Sequence, residues 1–125
     1  MAKKILIADD NADLIRILSL QLKNAGYSTV TAVNGKEAVE FARTQLPDLI
    51  LMDVMMPVMN GLEATRLIRQ DPETRSIPII AVTAKITPQD QKELLNEGCD
   101  DYLSKPYTTK ELTSCIDKLL QQGKS

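Results

Sequence analysis

Three short apolar runs with almost no polar alternation limit what this chain can become: Ile5-Leu6-Ile7-Ala8, Leu49-Ile50-Leu51-Met52 and Ile79-Ile80-Ala81-Val82. A strand with one wet face alternates apolar and polar residues, so continuous runs of this length suit strands buried on both faces of a parallel sheet. Helices must then cover both sides of that sheet. Ser28 to Ala32 is more polar and rich in threonine and valine, as an edge strand is, and Asp101 to Ser104 supplies a fifth short strand at the other edge.

Between the runs lie helix-length segments whose starts carry side chains able to accept free amide hydrogens. Asn34 with Glu37, Asn60 with Glu63 and Thr108 with Glu111 have capping-box spacing. Thr87-Pro88 is a further start signal, because proline at the first helical position forfeits no hydrogen bond. Gly26 and Gly98 stand where helices would end. Leu112, Ile116, Leu119 and Leu120 form one apolar stripe on the last segment; Leu14, Leu18 and Leu22 form another on the first, widened by Ile15, Ile17 and Leu20. The widened stripe reads either as a deeply buried helix or as a flank that contacts a partner. Strand and helix alternating five times, with right-handed crossovers, give an α/β fold: a doubly wound five-stranded parallel sheet with helices on both faces. Residues 1–125 read as one domain with a core over about 4–122, either self-contained from Met1 to the end at Gly123-Lys124-Ser125 or a module cut from a larger protein.

Composition narrows the chemistry. With 15 basic and 17 acidic residues the chain has no cationic surplus for a phosphate backbone, which argues against direct nucleic-acid binding. The N-terminal MAKKILIADD reaches acids after too short an apolar run for a signal-peptide core or a membrane span, so a cytoplasmic protein without membrane insertion is expected. Cys99 and Cys115 read as reduced small hydrophobes. The absence of histidine removes the commonest general base, the usual zinc ligand and the usual phosphorelay donor, leaving carboxylates, lysine and hydroxyls.

In doubly wound folds function gathers at the carboxyl ends of the strands. Here the first strand ends in Asp9-Asp10, the third in Asp53, the fourth in Thr83, and the fifth is followed by Lys105-Pro106. Taken singly, each has a plain reading: Asp9-Asp10 as a helix cap, Asp53 as turn chemistry, Thr83 and Lys105 as surface. Jointly they put three carboxylates, a hydroxyl and an ammonium on one rim. Crowded carboxylates ionise together only with a cation among them. An all-oxygen ligand set selects magnesium, with manganese able to substitute. A metal, a carboxylate and an ammonium equip a site for phosphoryl transfer, and a carboxylate can itself accept the group as an acyl phosphate. Asp53 is the best nucleophile, since it ends the central buried strand.

The run Ile5 to Asp10, the segment Pro47 to Pro57 followed by Asn60-Gly61, then Val82-Thr83-Ala84 and Asp101 to Pro106 resemble the response-regulator receiver family across essentially the whole chain. The resemblance implies a flavodoxin-like strand order 2-1-3-4-5 and a phospho-accepting switch rather than a turnover enzyme. It implies that Asp53 takes a phosphoryl group from a partner's phosphohistidine, that Asp10, Asp53 and the Met55 carbonyl ligate magnesium with Asp9 acting mainly through water, and that Lys105 pairs with a phosphoryl oxygen. Thr83 would then swing toward the phosphoryl group and Tyr102 rotate inward, changing the surface of the fourth helix, fifth strand and fifth helix. For Tyr102, ordinary half-buried packing is the plain alternative. The Lys105-Pro106 bond would be cis. Met55 and Lys85 would flank the path of attacking water, and an apolar methionine there implies slow to moderate self-dephosphorylation, unless Met55 merely packs. Implied partners are a histidine kinase or histidine phosphotransfer protein and a downstream protein target. The expected state is a monomer, with phosphorylation-dependent dimerisation the alternative.

Two other classes fit less well. A flavin carrier needs a hydroxyl- and glycine-rich loop after the first strand, where this chain has Asp10-Asn11-Ala12-Asp13. A haloacid-dehalogenase-type phosphatase places a second aspartate two residues after its nucleophile, where this chain reads Asp53-Val54-Met55.

Overall fold

The computed structural model describes residues 2–84 and 87–122. Over these, β1 (Lys4–Ala8), α1 (Ala12–Asn24), β2 (Ser28–Ala32), α2 (Gly35–Gln45), β3 (Leu49–Asp53), α3 (Gly61–Gln70), β4 (Ile79–Thr83), α4 (Pro88–Asn96), β5 (Asp101–Ser104) and α5 (Thr109–Gln122) follow in order. All four strand pairings are parallel and the sheet order is β2-β1-β3-β4-β5. The three apolar runs are the three inner strands, and every residue of β3 is buried.

Alternation along each strand divides the core in two. Leu6, Ala8, Ile50, Met52, Ile79 and Ala81 face α2, α3 and α4, which contribute Ala38, Ala42, Ala64, Ile68 and Leu94. Ile5, Ile7, Leu49, Leu51 and Ile80 face α1 and α5, which contribute Leu18, Leu22, Leu112, Ile116 and Leu119. Helices thus cover both faces of the flavodoxin-like sheet. No helix of the described residues is long and apolar enough to cross a membrane.

The α1 stripe is narrower than its sequence: Leu18 and Leu22 are buried and Leu14 and Ile15 half-buried, but Ile17 and Leu20 are 54% and 62% exposed. The deeply buried reading of this helix is therefore wrong, because α1 lays one face on the sheet and no element among the described residues covers its outer face. The caps also sort themselves. Thr108 and Glu111 exchange both bonds of a capping box, and so do Thr87 and Asp90. Asn34 and Asn60 accept only from the amides of Glu37 and Glu63, while the Glu37 carboxylate turns to the Val33 N–H instead. Gly26 and Gly98 follow helix ends at φ +97° and +109°, the left-handed region where a side chain is strained. Cys99 is buried and Cys115 half-buried; both are free thiols.

Candidate functional site

The acids assemble because two strand ends lie side by side. β1 and β3 pair with Ala8 opposite Met52, so Asp9 and Asp53, the next residues, leave the sheet together. The helix after β1 is capped by Asn11, whose side chain accepts from the amides of Asp13 and Leu14. This corrects the plain reading of Asp9-Asp10 as the cap and leaves both carboxylates for other work. Asp9 accepts the Asn11 N–H at 2.9 Å and is buried, whereas Asp10 is exposed.

The carboxylate oxygens of Asp9, Asp10 and Asp53 lie within 4.8 Å of one another. Lys105 reaches over them from the end of β5, its Nζ donating to Asp9 Oδ2 at 3.3 Å and standing 3.6 Å from Asp53 Oδ2. Its backbone N–H continues the β4–β5 ladder to the Thr83 carbonyl, and the Lys105–Pro106 bond is cis. Asp53 also accepts the Met55 N–H at 3.1 Å. Burial and the Asp9 charge push the Asp53 carboxyl up to about 6; the Met55 amide and Lys105 pull the other way, and Asp10 raises it further. One ammonium does not neutralise three carboxylates. A hard divalent cation with oxygen ligands fits this surplus, and no softer donor is among the three.

The turn after β3 is held tightly. Gly61 sits so close to the Asp53 backbone that a Cβ there would lie 2.3 Å from the Asp53 carbonyl oxygen, and its own N–H bonds the Val54 carbonyl. Any larger residue would displace the acid-bearing strand end. Met59 donates to the Pro57 carbonyl across Val58, which has φ +68°: a γ-turn of the rare, strained kind at a β-branched residue. Met55 projects outward, 74% exposed. A cleft of about 180 Å³ opens beside this turn, lined by Val54, Met55, Leu62, Thr83, Asp90, Glu93 and Leu94.

Of the remaining sequence-derived residues, Thr83 is half-buried at the end of β4, and Tyr102 is half-buried against the cluster under α2, α3 and α4. Lys85 lies outside the described residues. Sequence reasoning missed Tyr107, whose hydroxyl is buried without a hydrogen-bond partner and whose acidity is lowered to a pKa of about 12, first by burial and then by the charges of Asp9 and Asp53. Its place two residues after the lysine was the available signal.

A family model for the response regulator receiver domain matches residues 5–117. The polar-differentiation response regulator DivK of Brucella anthropi is 38% identical over 120 residues, 96% of this chain and 98% of DivK. The alkaline phosphatase synthesis transcriptional regulatory protein PhoP of Bacillus subtilis is 37% identical over 98% of this chain, which spans only 50% of PhoP. Among solved structures, the receiver domain of the sensor histidine kinase PA1611 from Pseudomonas aeruginosa, with a magnesium ion coordinated in its active site cleft, is 35% identical with a TM-score of 0.89, covering 97% of this chain and 99% of that one. Matches of this identity and coverage, on a sheet whose acids and lysine meet at one rim, make the chain a member of the response-regulator receiver family of two-component signalling.

Proposed function

We propose that this chain is a phospho-accepting switch of a two-component or phosphorelay system, with Asp53 as the acceptor. The observation that carries the reading is the set of three carboxylates within 4.8 Å, with Asp53 at the end of the fully buried β3 and one lysine serving the set. An Asp53 oxygen attacks phosphorus, the phosphorus–nitrogen bond of a partner's phosphohistidine breaks, and the imidazole leaves with the electron pair and takes a proton. Lys105 moves from the carboxylates to a phosphoryl oxygen. Asp10, Asp53 and the Met55 carbonyl would hold magnesium, with Asp9 helping through water; bound there, the ion supplies neutralisation of the charge on the phosphoryl oxygens. Manganese has the same ligand preferences and is expected to substitute.

The modified acid adds nearly two negative charges and three acceptor oxygens at one point. Thr83 turns toward them, Tyr102 moves inward, and the surface formed by α4, β5 and α5 is the output that a downstream protein reads. The partners on this reading are a histidine kinase or phosphotransfer protein and that target, with the chain a cytoplasmic monomer of one domain that catalyses its own modification without conventional turnover. Met55 offers attacking water no polar group, so a Met55→Asn variant is expected to lose the phosphoryl group several-fold faster; a wild-type half-life far shorter than the variant's would contradict this.

The test is incubation with acetyl phosphate or beryllofluoride and magnesium, followed by amide-resolved spectroscopy. Shifts reaching Thr83 and Tyr102 in wild type and absent in Asp53→Asn are expected. Equal shifts in both proteins would remove Asp53 as the acceptor.

A further inference from the structure

Tyr107 lies between the cis peptide and α5. Its ring packs against the cluster that faces α1 and α5, to which Ile7 and Leu51 belong. Asp9 and Asp53 stand two residues beyond Ile7 and Leu51, so strand alternation sends them to the same face. The Tyr107 hydroxyl is the one buried side-chain polar atom without a partner among the described residues. Burial and the two acids keep it protonated, with a pKa of about 12, and so a donor. An unpaired buried hydroxyl costs this state free energy, so any state that supplies it with an acceptor is favoured by comparison.

The bonds at Asp9 identify that state. Asp9 is buried; one oxygen accepts from the Asn11 N–H and the other from Lys105 Nζ. On the reading that Asp53 becomes phosphorylated, Lys105 is drawn to the phosphoryl group, and the second Asp9 oxygen gives up the lysine's hydrogen bond, whatever else it accepts from a magnesium-bound water. A buried carboxylate that loses its charged donor opposes that movement. We infer that Tyr107 is a positioning residue: its hydroxyl donates to Asp9, directly or through one water, when Lys105 turns to the phosphoryl group. The lysine can then leave without stranding the carboxylate, which favours the modified state.

Full-length wild type and Tyr107→Phe, each titrated with magnesium alone and then with beryllofluoride at saturating magnesium, test the inference. Tyr107→Phe is expected to bind beryllofluoride about tenfold more weakly, the effect of one hydrogen bond to a charged group. Its magnesium affinity should stay within about twofold of wild type, and its melting temperature without ligand should be equal or higher, because only an unpaired hydroxyl is removed. Equal beryllofluoride affinity in the two proteins overturns the inference and leaves the acceptor reading intact. A parallel loss of magnesium affinity, or a lowered melting temperature, overturns it by making the hydroxyl a metal-site or structural group. A wild type that binds no beryllofluoride sinks the acceptor reading and this inference with it.

Discussion

The two rims of the sheet use aspartate in opposite ways. At the amino end, Asp48 accepts the Lys4 N–H at 2.7 Å while its own N–H bonds the Lys4 carbonyl, and Asp100 forms the same clasp with Ile79. Arg69 completes that end, donating to Asp100 and to the carbonyls of Gly98, Arg75 and Ile77. There Asp100 has a guanidinium partner and Asp48 a backbone amide. At the carboxyl end Asp9, Asp10 and Asp53 share one lysine. The difference teaches that the crowding of acids is local to the carboxyl rim, since about one strand length away the same chain spaces its aspartates apart and gives each a donor of its own.

The harshest trial of this contrast removes the amino-end hub. Arg69→Ala leaves three carbonyls and a carboxylate short of a donor, and urea unfolding should show a loss of about 3 kcal/mol. A loss under about 1 kcal/mol would mean that the amino rim is not held by this network.

Removing charge at the other rim should act with the opposite sign. The Asp53 carboxyl is raised from 3.8 to about 6 in the folded, metal-free protein, so between those values the native state holds more proton than the unfolded chain. Stability therefore falls as pH rises from about 4 to about 6 and stays lower above that. Asp53→Asn is expected to stabilise the chelated protein at pH 7 by about 2 kcal/mol, less where water reaches the open rim, and to flatten this pH dependence. Saturating magnesium should reduce the gap between variant and wild type. Denaturant melts at pH 4.5 and 7, with chelator and with magnesium, check all three.

The smallest effect sharpens the same picture at the turn beside Asp53. Val58 holds φ +68°, where a β-branched residue is strained and asparagine is tolerated. Val58→Asn should add about 1 kcal/mol to the melting free energy, and unchanged stability would mean that the turn relaxes at no cost.

Much of this was legible in the residues. The uninterrupted apolar runs gave the inner strands because no amphipathic strand has that pattern, and the capping residue of α5 could be read because a cap is a local bond over three residues. The strand-end acids could be grouped at one site because parallel strands put all their carboxyl ends on one rim. Other features were not legible. Ile17 and Leu20 share the helical spacing of their buried neighbours, and only the absence of a covering element makes them exposed. Arg69 gives no local sign of being a hub, since its acceptors lie as far away as Asp100.

The sequence alone determined the order of elements, which acids end which strands, and the lack of histidine, all properties of short stretches and of composition. Tertiary structure decided which acid is buried, that Lys105 bonds Asp9 while standing near Asp53, and that the Tyr107 hydroxyl is left unpaired. Those depend on groups as many as 96 residues apart meeting at one rim, and dielectric burial exists only once the sheet and its helices have excluded water.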